Sequence, residues 1–538
     1  MIRVLLVIFF SCTSLLLYSQ SLSRPKLIVG IMVDQMRWDY LYRYYDRFDS
    51  KGGFKRMLNQ GFSCENTLIN FAPTVTACGH SAVYTGTVPA ISGITGNAWY
   101  DKQQKRTVYC VEDHSVTTVG SNSSLGKMSP KNMFVTSICD ELRLATNFRS
   151  KTIGIAIKDR GGILPAGHSA NAAYWYDNTT GNWITSSYYM NSLPTWVDKF
   201  NEQKWVDKYY RQGWKLSYPV ESYKQSTSDT KNYEGKPFGT AFPYDLKPFE
   251  GKNYGAVSTT PFGNTLTAEF AKAAIIAEQL GADNFTDFLA VSFSSPDYIG
   301  HSFGSNSIES EDGFIKLDQE LGSFLEFLDN RIGKGQYTLF LTADHGVAQI
   351  PEFMLENKLP AGRVFMSSVT ESLNKALNDQ YKINRVIVSD DNYQVHLNHT
   401  LLDSAKIEKQ VIIEWIVNYL STLPGIDRAF PAQGLNTIPL TEKVRVMLNN
   451  GFHPLRSGDI FYILKPHHID AFGNTGTTHG LWNPYDSHIP LLWYGWGIRQ
   501  GKLTRETYMT DIAPTVAALL RIQQPSGCIG QVIPEVLK

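Results

Sequence analysis

Asp34, Asp297, Asp344, His301, His345 and His479 are of the types that bind metal ions, although they lie far apart along the chain. Asp297-Tyr-Ile-Gly-His301 spaces a carboxylate and an imidazole at i and i+4. On one helical turn they share a face and can clamp one ion; alone, the spacing equally fits two solvated helix residues. Asp344-His345-Gly346 sets two ligand types side by side. Neighbouring strand residues point to opposite faces, so joint ligation needs the strand to end there, and Gly346 permits the turn. His479 sits in the loop Gly473-Asn-Thr-Gly-Thr-Thr-His479-Gly480, where a single histidine could as well be structural. Three carboxylates with three imidazoles suit zinc better than magnesium, which prefers oxygen and water. They are too many for one catalytic zinc and fit two ions with three protein ligands each. Ion pairs about 3.5–4 Å apart clamp the attacking and leaving oxygens of phosphoryl transfer.

Phosphoryl transfer also needs a nucleophile and an anion clamp. Thr76, in APTVTACGHS, precedes a helical-looking stretch. Helix N-termini favour anions, and metal coordination would turn its hydroxyl into an alkoxide. Local sequence equally allows Thr76 to be a helix cap. Lys158 and Arg160 stand at i and i+2 of an apparently extended run, which would put them on one face with Asp159 on the other. An ammonium beside a planar guanidinium fits phosphoryl oxygens; the other reading is a solvated strand end.

Such scattered residues need a scaffold that gathers them. Lys26–Asp34, Thr152–Asp159, Phe285–Ser294, Tyr337–Asp344 and Ile489–Gly495 are apolar runs of the kind buried on both faces of a parallel or mixed sheet. Helical patterns lie between them, at Thr265–Leu280, Glu309–Arg331 and Thr510–Arg521, the last with Thr510 as N-cap. The alternation predicts an α/β fold: an α/β/α sandwich on a largely parallel mixed sheet, with inserted cap regions. Four of the runs deliver polar groups at or just past their carboxyl ends, where open α/β sheets bind ligands. Two stretches break the alternation. Ala173 to about Tyr254, rich in Tyr, Trp, Asn and Ser, reads as an inserted cap, either packed aromatics or a carbohydrate-binding surface. About 349–472 reads as a second α/β insertion.

The chain of 538 residues carries 50 basic and 50 acidic side chains, with 43% apolar and 19% charged residues. This excludes a disordered, collagenous or coiled-coil protein. With no basic excess, a nucleic-acid partner is not expected. Met1 to Arg3, an apolar Val4–Leu17 and polar residues after it form a signal-peptide pattern, taken as residues 1–22; the run is short for a membrane span, and the competing reading is a membrane anchor. A periplasmic or secreted protein with no stable membrane span is therefore expected. Without Cys12, five cysteines remain, too few to frame a fold with disulfides.

The blocks VGIMVDQMRWDYLYRYY, PTVTACGH, LPAGH, TTPFGNTLT, DYIGHSFGSNSIE, ADHG, GTTHG, YDSHIPLLWYGWGI and TDIAPTVAALL, in this order, resemble the alkaline phosphatase superfamily, and within it the PafA-type (Chryseobacterium/Elizabethkingia) bacterial alkaline phosphatases with a threonine nucleophile. The resemblance covers essentially all of residues 23–538, with insertions at about 158–255 (the cap, which in the family carries the Lys/Arg pair) and about 349–472. It implies a zinc-dependent phosphate monoester hydrolase with two Zn²⁺ per chain, Thr76 forming a phospho-threonine intermediate. It implies one zinc on Asp297, His301 and His479, and the other on Asp34, Asp344, His345 and the Thr76 oxygen. Asn97, in GITGNAW, would contact a phosphoryl oxygen with Lys158 and Arg160; the resemblance alone points to Asn97. Cys78 stands where the family has an aliphatic residue. The expected partners are small-molecule phosphate monoesters, and a monomer is expected. A monoester dianion leaves three free oxygens, one more than a diester, which favours a monoesterase over the alternative, a nucleotide pyrophosphatase/phosphodiesterase of the same superfamily. A sulfatase would need a C/S-x-P-x-R motif that PTVTACGH lacks, and a phosphoglycerate mutase would be cytosolic. A non-catalytic metal-stabilised surface protein is opposed by Thr76 and the Lys158/Arg160 pair.

Overall fold

Apolar runs become strands here because both of their faces are covered. The computed structural model describes residues 23–538; the expected signal peptide and Cys12 lie outside the described residues. Strands β1 (Leu27–Val33), β2 (Thr152–Ala156), β3 (Ala172–Asp177), β4 (Asp287–Phe293) and β5 (Tyr337–Thr342) lie in the order β5-β1-β4-β2-β3. All four pairings are parallel. Every residue of these strands is buried, which is why they read as unbroken apolar stretches. β6 (Leu491–Gly495) adds antiparallel to β5. Short strands extend both edges to a ten-stranded mixed sheet, so the α/β expectation holds.

Register places the chemistry. Val33 pairs with Phe293, Met32 with Thr342, and Ser292 with Ala156. The carboxyl ends of β1, β2, β4 and β5 therefore finish level at one edge of the sheet. Asp34, Lys158, Asp297 and Asp344 all follow within four residues of those ends.

Helix α1 (Thr76–Thr85) is buried along its whole length. It can press against the turn after β5 because Gly79 lacks a side chain: a Cβ there would lie 2.3 Å from the Asp344 carbonyl oxygen. Helices α2 (Asp159–Ala166), α3 (Ser295–Phe303) and α4 (Ile308–Leu328) follow β2, β4 and α3.

Three local expectations change. The last helix is Ile512–Leu520, and Thr510 does not cap it; a 3₁₀ turn at Met509–Asp511 comes first, with the Asp511 carboxylate accepting the Tyr508 N–H. The aromatic stretch begins inside the main sheet, since β3 and Asn182–Ser186 belong to it. Large rings serve there as core; Trp183, for instance, stacks on Phe270 with centroids 4.2 Å apart. The extended run through Lys158 and Arg160 is shorter than its sequence suggests, with consequences given below.

Within 349–472, strands Ile387–Ser389, Gln394–Leu397, Ile426–Pro431 and Ile460–Leu464 form a separate four-stranded sheet. It has its own apolar cluster, including Leu373, Ile412, Ile416 and Tyr462. Among the described residues the five cysteines are free, and no helix is long and apolar enough to cross a membrane.

Candidate active site

The turns after β1, β4 and β5 meet a loop that precedes β6. Asp34, Asp344 and His345 offer ligand atoms within 4.8 Å of one another, and so do Asp297, His345 and His479. His345 thus belongs to both groups, and its ring stacks on His479 at 3.5 Å between centroids. His301 adjoins the second group: its Nε2 is 3.2 Å from Asp297 Oδ1, and its ring lies 5.1 Å from that of His479. Asp297 and His301 share a face of α3, as their spacing requires. Thr342 ends β5, which frees Asp344 and His345 to face the same centre.

Burial sets the charges. Asp34 and Asp344 are fully buried and Asp297 nearly so. Burial and the neighbouring Asp344 charge push the Asp34 carboxyl well above its ordinary range. Burial also acts to raise Asp297, but His301 and Lys158 outweigh it and hold the carboxyl low. Burial and the adjacent imidazoles keep His479 neutral, the form that binds metal. Lys158 Nζ stands between the two groups, 2.7 Å from Asp34 Oδ2 and 2.6 Å from Asp297 Oδ2. Among the described residues, neither Asp34 oxygen receives a well-aligned hydrogen bond. Buried carboxylates at this spacing, with imidazoles beside them, fit two borderline-soft divalent cations.

Thr76 is the first residue of α1, after an extended Val75. Its Oγ1 lies 3.4 Å from His345 Nε2 and 3.4 Å from Lys158 Nζ. Asn97 is held beside it, with its Oδ1 accepting the Ala77 N–H at 2.9 Å. That leaves the Asn97 amide N–H₂ as a donor. Lys158 and Arg160 are not on one strand face. β2 ends at Ala156, Lys158 caps α2, and Arg160 lies in the first turn of that helix. The Arg160 guanidinium is directed by Tyr109, whose hydroxyl is 3.0 Å from Nη1 and donates to Asp159 Oδ1 at 2.6 Å. The two cations therefore flank a strand-to-helix turn. Cys78 does not reach the centre; it is buried, and its thiol donates to the Ile94 carbonyl at 3.1 Å.

Two supports carry no recognisable sequence signal. His80, one turn along α1, places Nδ1 2.9 Å from the Thr76 carbonyl and 3.2 Å from Asp344 Oδ2, with Nε2 2.8 Å from Ser292 Oγ. Tyr393, just before a strand of the separate four-stranded sheet, donates its hydroxyl to the His479 carbonyl at 3.0 Å.

Comparison with known proteins agrees with this arrangement. Residues 28–411 match the family model described as type I phosphodiesterase / nucleotide pyrophosphatase. The chain is 51% identical to alkaline phosphatase PhoV of Synechococcus elongatus, covering 97% of this chain and 94% of that one. It is 50% identical to a protein of Myroides odoratus named calcium-transporting ATPase, covering 97% and 96%. It is 45% identical to alkaline phosphatase PafA of Elizabethkingia meningoseptica, covering 96% of each. The crystal structure of wild-type PafA superposes with a TM-score of 0.94, covering 96% of this chain and all of that one at 44% identity.

Proposed function

This chain belongs to the alkaline phosphatase superfamily, as an alkaline phosphatase of the PafA type, and from that premise we propose that it hydrolyses phosphate monoesters through a phospho-threonine formed on Thr76, with two zinc ions as its cofactor. The observation that carries this reading is the position of the Thr76 hydroxyl, 3.4 Å from both His345 and Lys158 at the junction of the two ligand groups.

When bound, the two ions supply Lewis-acid stabilisation of the attacking and leaving oxygens and make hydroxyl and water nucleophilic at neutral pH. Asp34, Asp344 and His345 would hold one, and Asp297, His479 and His301 the other. The chain's own residues do the rest. Thr76 gives its hydroxyl proton to water as its Oγ attacks phosphorus in line and the bond to the ester oxygen breaks, and the departing alkoxide takes a proton from water, so that the net change is transfer of the Thr76 proton to the alcohol. Water then attacks the phospho-threonine from the side the alkoxide left, releasing inorganic phosphate and restoring the hydroxyl. The α1 N-terminus favours the anion. Asn97, Lys158 and Arg160 take the other phosphoryl oxygens, so the loose transition state is met by charges already in place. A diester offers this clamp one oxygen fewer and less charge, which is why monoesters are the preferred class.

The decisive experiment is acid quenching during turnover of a ³²P-labelled monoester. Label should be trapped on Thr76, lost in Thr76→Ala and retained with measurable turnover in Thr76→Ser. Wild-type turnover by Thr76→Ala would remove the nucleophile from this account.

The matched family description favours a second reading, a nucleotide phosphodiesterase using the same residues. Mono- and diester rates on one preparation separate the two. Residues 1–22 support export to the periplasm or medium, and the chain is expected to act as a monomer; fractionation with N-terminal sequencing, and gel filtration, test these points.

A further inference from the structure

Asp34 is followed by Gln35, a residue that the mechanism above does not use. Gln35 is 2% exposed and has a left-handed backbone, with φ of 65°. That region is disfavoured for any side chain with a Cβ and persists where the surroundings enforce it. Here the bend aims two donors of one residue at two different carboxylates. The Gln35 backbone N–H donates to Asp344 Oδ1 at 3.1 Å, and its side-chain Nε2 donates to Asp297 Oδ1 at 2.7 Å. Asp297 Oδ1 is the oxygen that also faces His301 and His479.

The other end of the amide is arranged with equal care. Among the described residues Gln35 Oε1 is buried without a hydrogen-bond partner, and it lies over Gly300. A Cβ on Gly300 would sit 1.9 Å from Oε1. Gly300 lies inside α3, between Asp297 and His301, where glycine is the poorer helix former. Close packing of the amide accounts for it. A buried, unpaired carbonyl oxygen is costly, and it accompanies an N–H delivered to a carboxylate of the other ligand group.

We propose that Gln35 is a positioning residue that ties Asp34, Asp344 and Asp297 together and so fixes the separation of the two cation-binding groups, with Gly300 as the space it needs. This rests on the two-cation reading above. Its chemistry demands an amide: leucine has the size but no donor, and glutamate would face Asp297 with an acceptor.

The test is calorimetric titration of metal-free protein with Zn²⁺, on variants whose circular dichroism matches wild type. Gln35→Leu should bind at least one ion about 10–100-fold more weakly, the range for losing an outer support of a ligand. Gly300→Ala should weaken binding in the same way, although alanine favours the helix. On a Gln35→Ala background, Gly300→Ala should cost almost nothing further, because the crowding atom is gone. Wild-type affinity in Gln35→Leu, or a Gly300→Ala loss that adds in full to that of Gln35→Ala, would overturn the proposal. If Gln35→Leu does not fold, Gly300→Ala and its double variant carry the test. Wild-type protein that fails to bind two ions contradicts the two-cation reading; two ions bound equally by wild type and variants contradict only the role of Gln35.

Discussion

Two groups of buried carboxylates among the described residues meet the same conflict in different surroundings. At the strand ends, Asp34, Asp297 and Asp344 converge with His301, His345, His479 and Lys158. Between the cap and α4, Glu234 and Glu309 are also buried, yet their hydrogen-bond partners are hydroxyls. Tyr244 OH donates to Glu309 at 2.5 Å and Thr227 Oγ1 to Glu234 at 3.2 Å. Lys231, three residues before Glu234, pairs with Glu356 instead. Burial pushes Glu309 up to about 7, and burial with the Glu309 charge pushes Glu234 up to about 8. A buried carboxylate must find a proton or a cation. Both carboxyls of the second pair are pushed upward, whereas at the first imidazoles and a lysine hold Asp297 and Asp344 low beside an Asp34 that is pushed up. Acid count alone does not make a metal site; what stands beside the acids does.

The contrast can be attacked from both ends. The largest expected effect is on the nucleophile that only the first cluster faces: Thr76→Ala should lower monoester turnover by on the order of 10³-fold or more, measured as steady-state p-nitrophenyl phosphate hydrolysis. Next, Asp344→Asn should weaken zinc binding by more than about 100-fold, beyond the loss expected for an outer support, as read by titration of metal-free protein. Glu309→Gln should leave zinc stoichiometry and turnover as they are. Lys158→Ala combined with Arg160→Ala should cut monoester kcat/KM by roughly 10²–10³-fold and diester kcat/KM far less; equal losses would remove the clamp from the account.

The smallest effect is on stability. Glu309 has its folded-state pKa raised from about 4.3 in an unfolded chain to about 7. Its favourable contribution is complete below the lower value and is lost as pH rises through the higher one, by on the order of 3 kcal/mol. Glu309→Gln keeps an acceptor for Tyr244 and does not titrate. Its unfolding temperature should exceed wild type at pH 9 and converge with it near pH 4. A constant difference across that range would mean that Glu309 is ionised in the folded protein.

The strands and the six candidate ligands were legible because burial on both faces writes itself as unbroken apolar runs, and because Asp344-His345-Gly346 and Asp297-x-x-x-His301 carry their geometry in their spacing. The grouping of the candidate ligands came from the family resemblance and not from local spacing; His345 lies near both groups because its ring stacks on His479, a contact across 134 positions that no local pattern encodes. The common face drawn for Lys158 and Arg160 failed because β2 stops at Ala156 and α2 starts at Asp159, and the apolar run does not mark that change. The aromatic stretch left packing and a carbohydrate-binding surface open, and did not show that its first strand belongs to the main sheet. Gln35 was invisible for the same reason as Tyr393: a common polar residue acts through one backbone angle and a partner far along the chain, 262 positions away for Gln35 and 86 for Tyr393.

The most direct test of the central claim is to strip the purified protein of metal and titrate Zn²⁺ back while following p-nitrophenyl phosphate hydrolysis. The account predicts no turnover without metal and full turnover at two equivalents per chain. Full activity in the metal-free protein would contradict it.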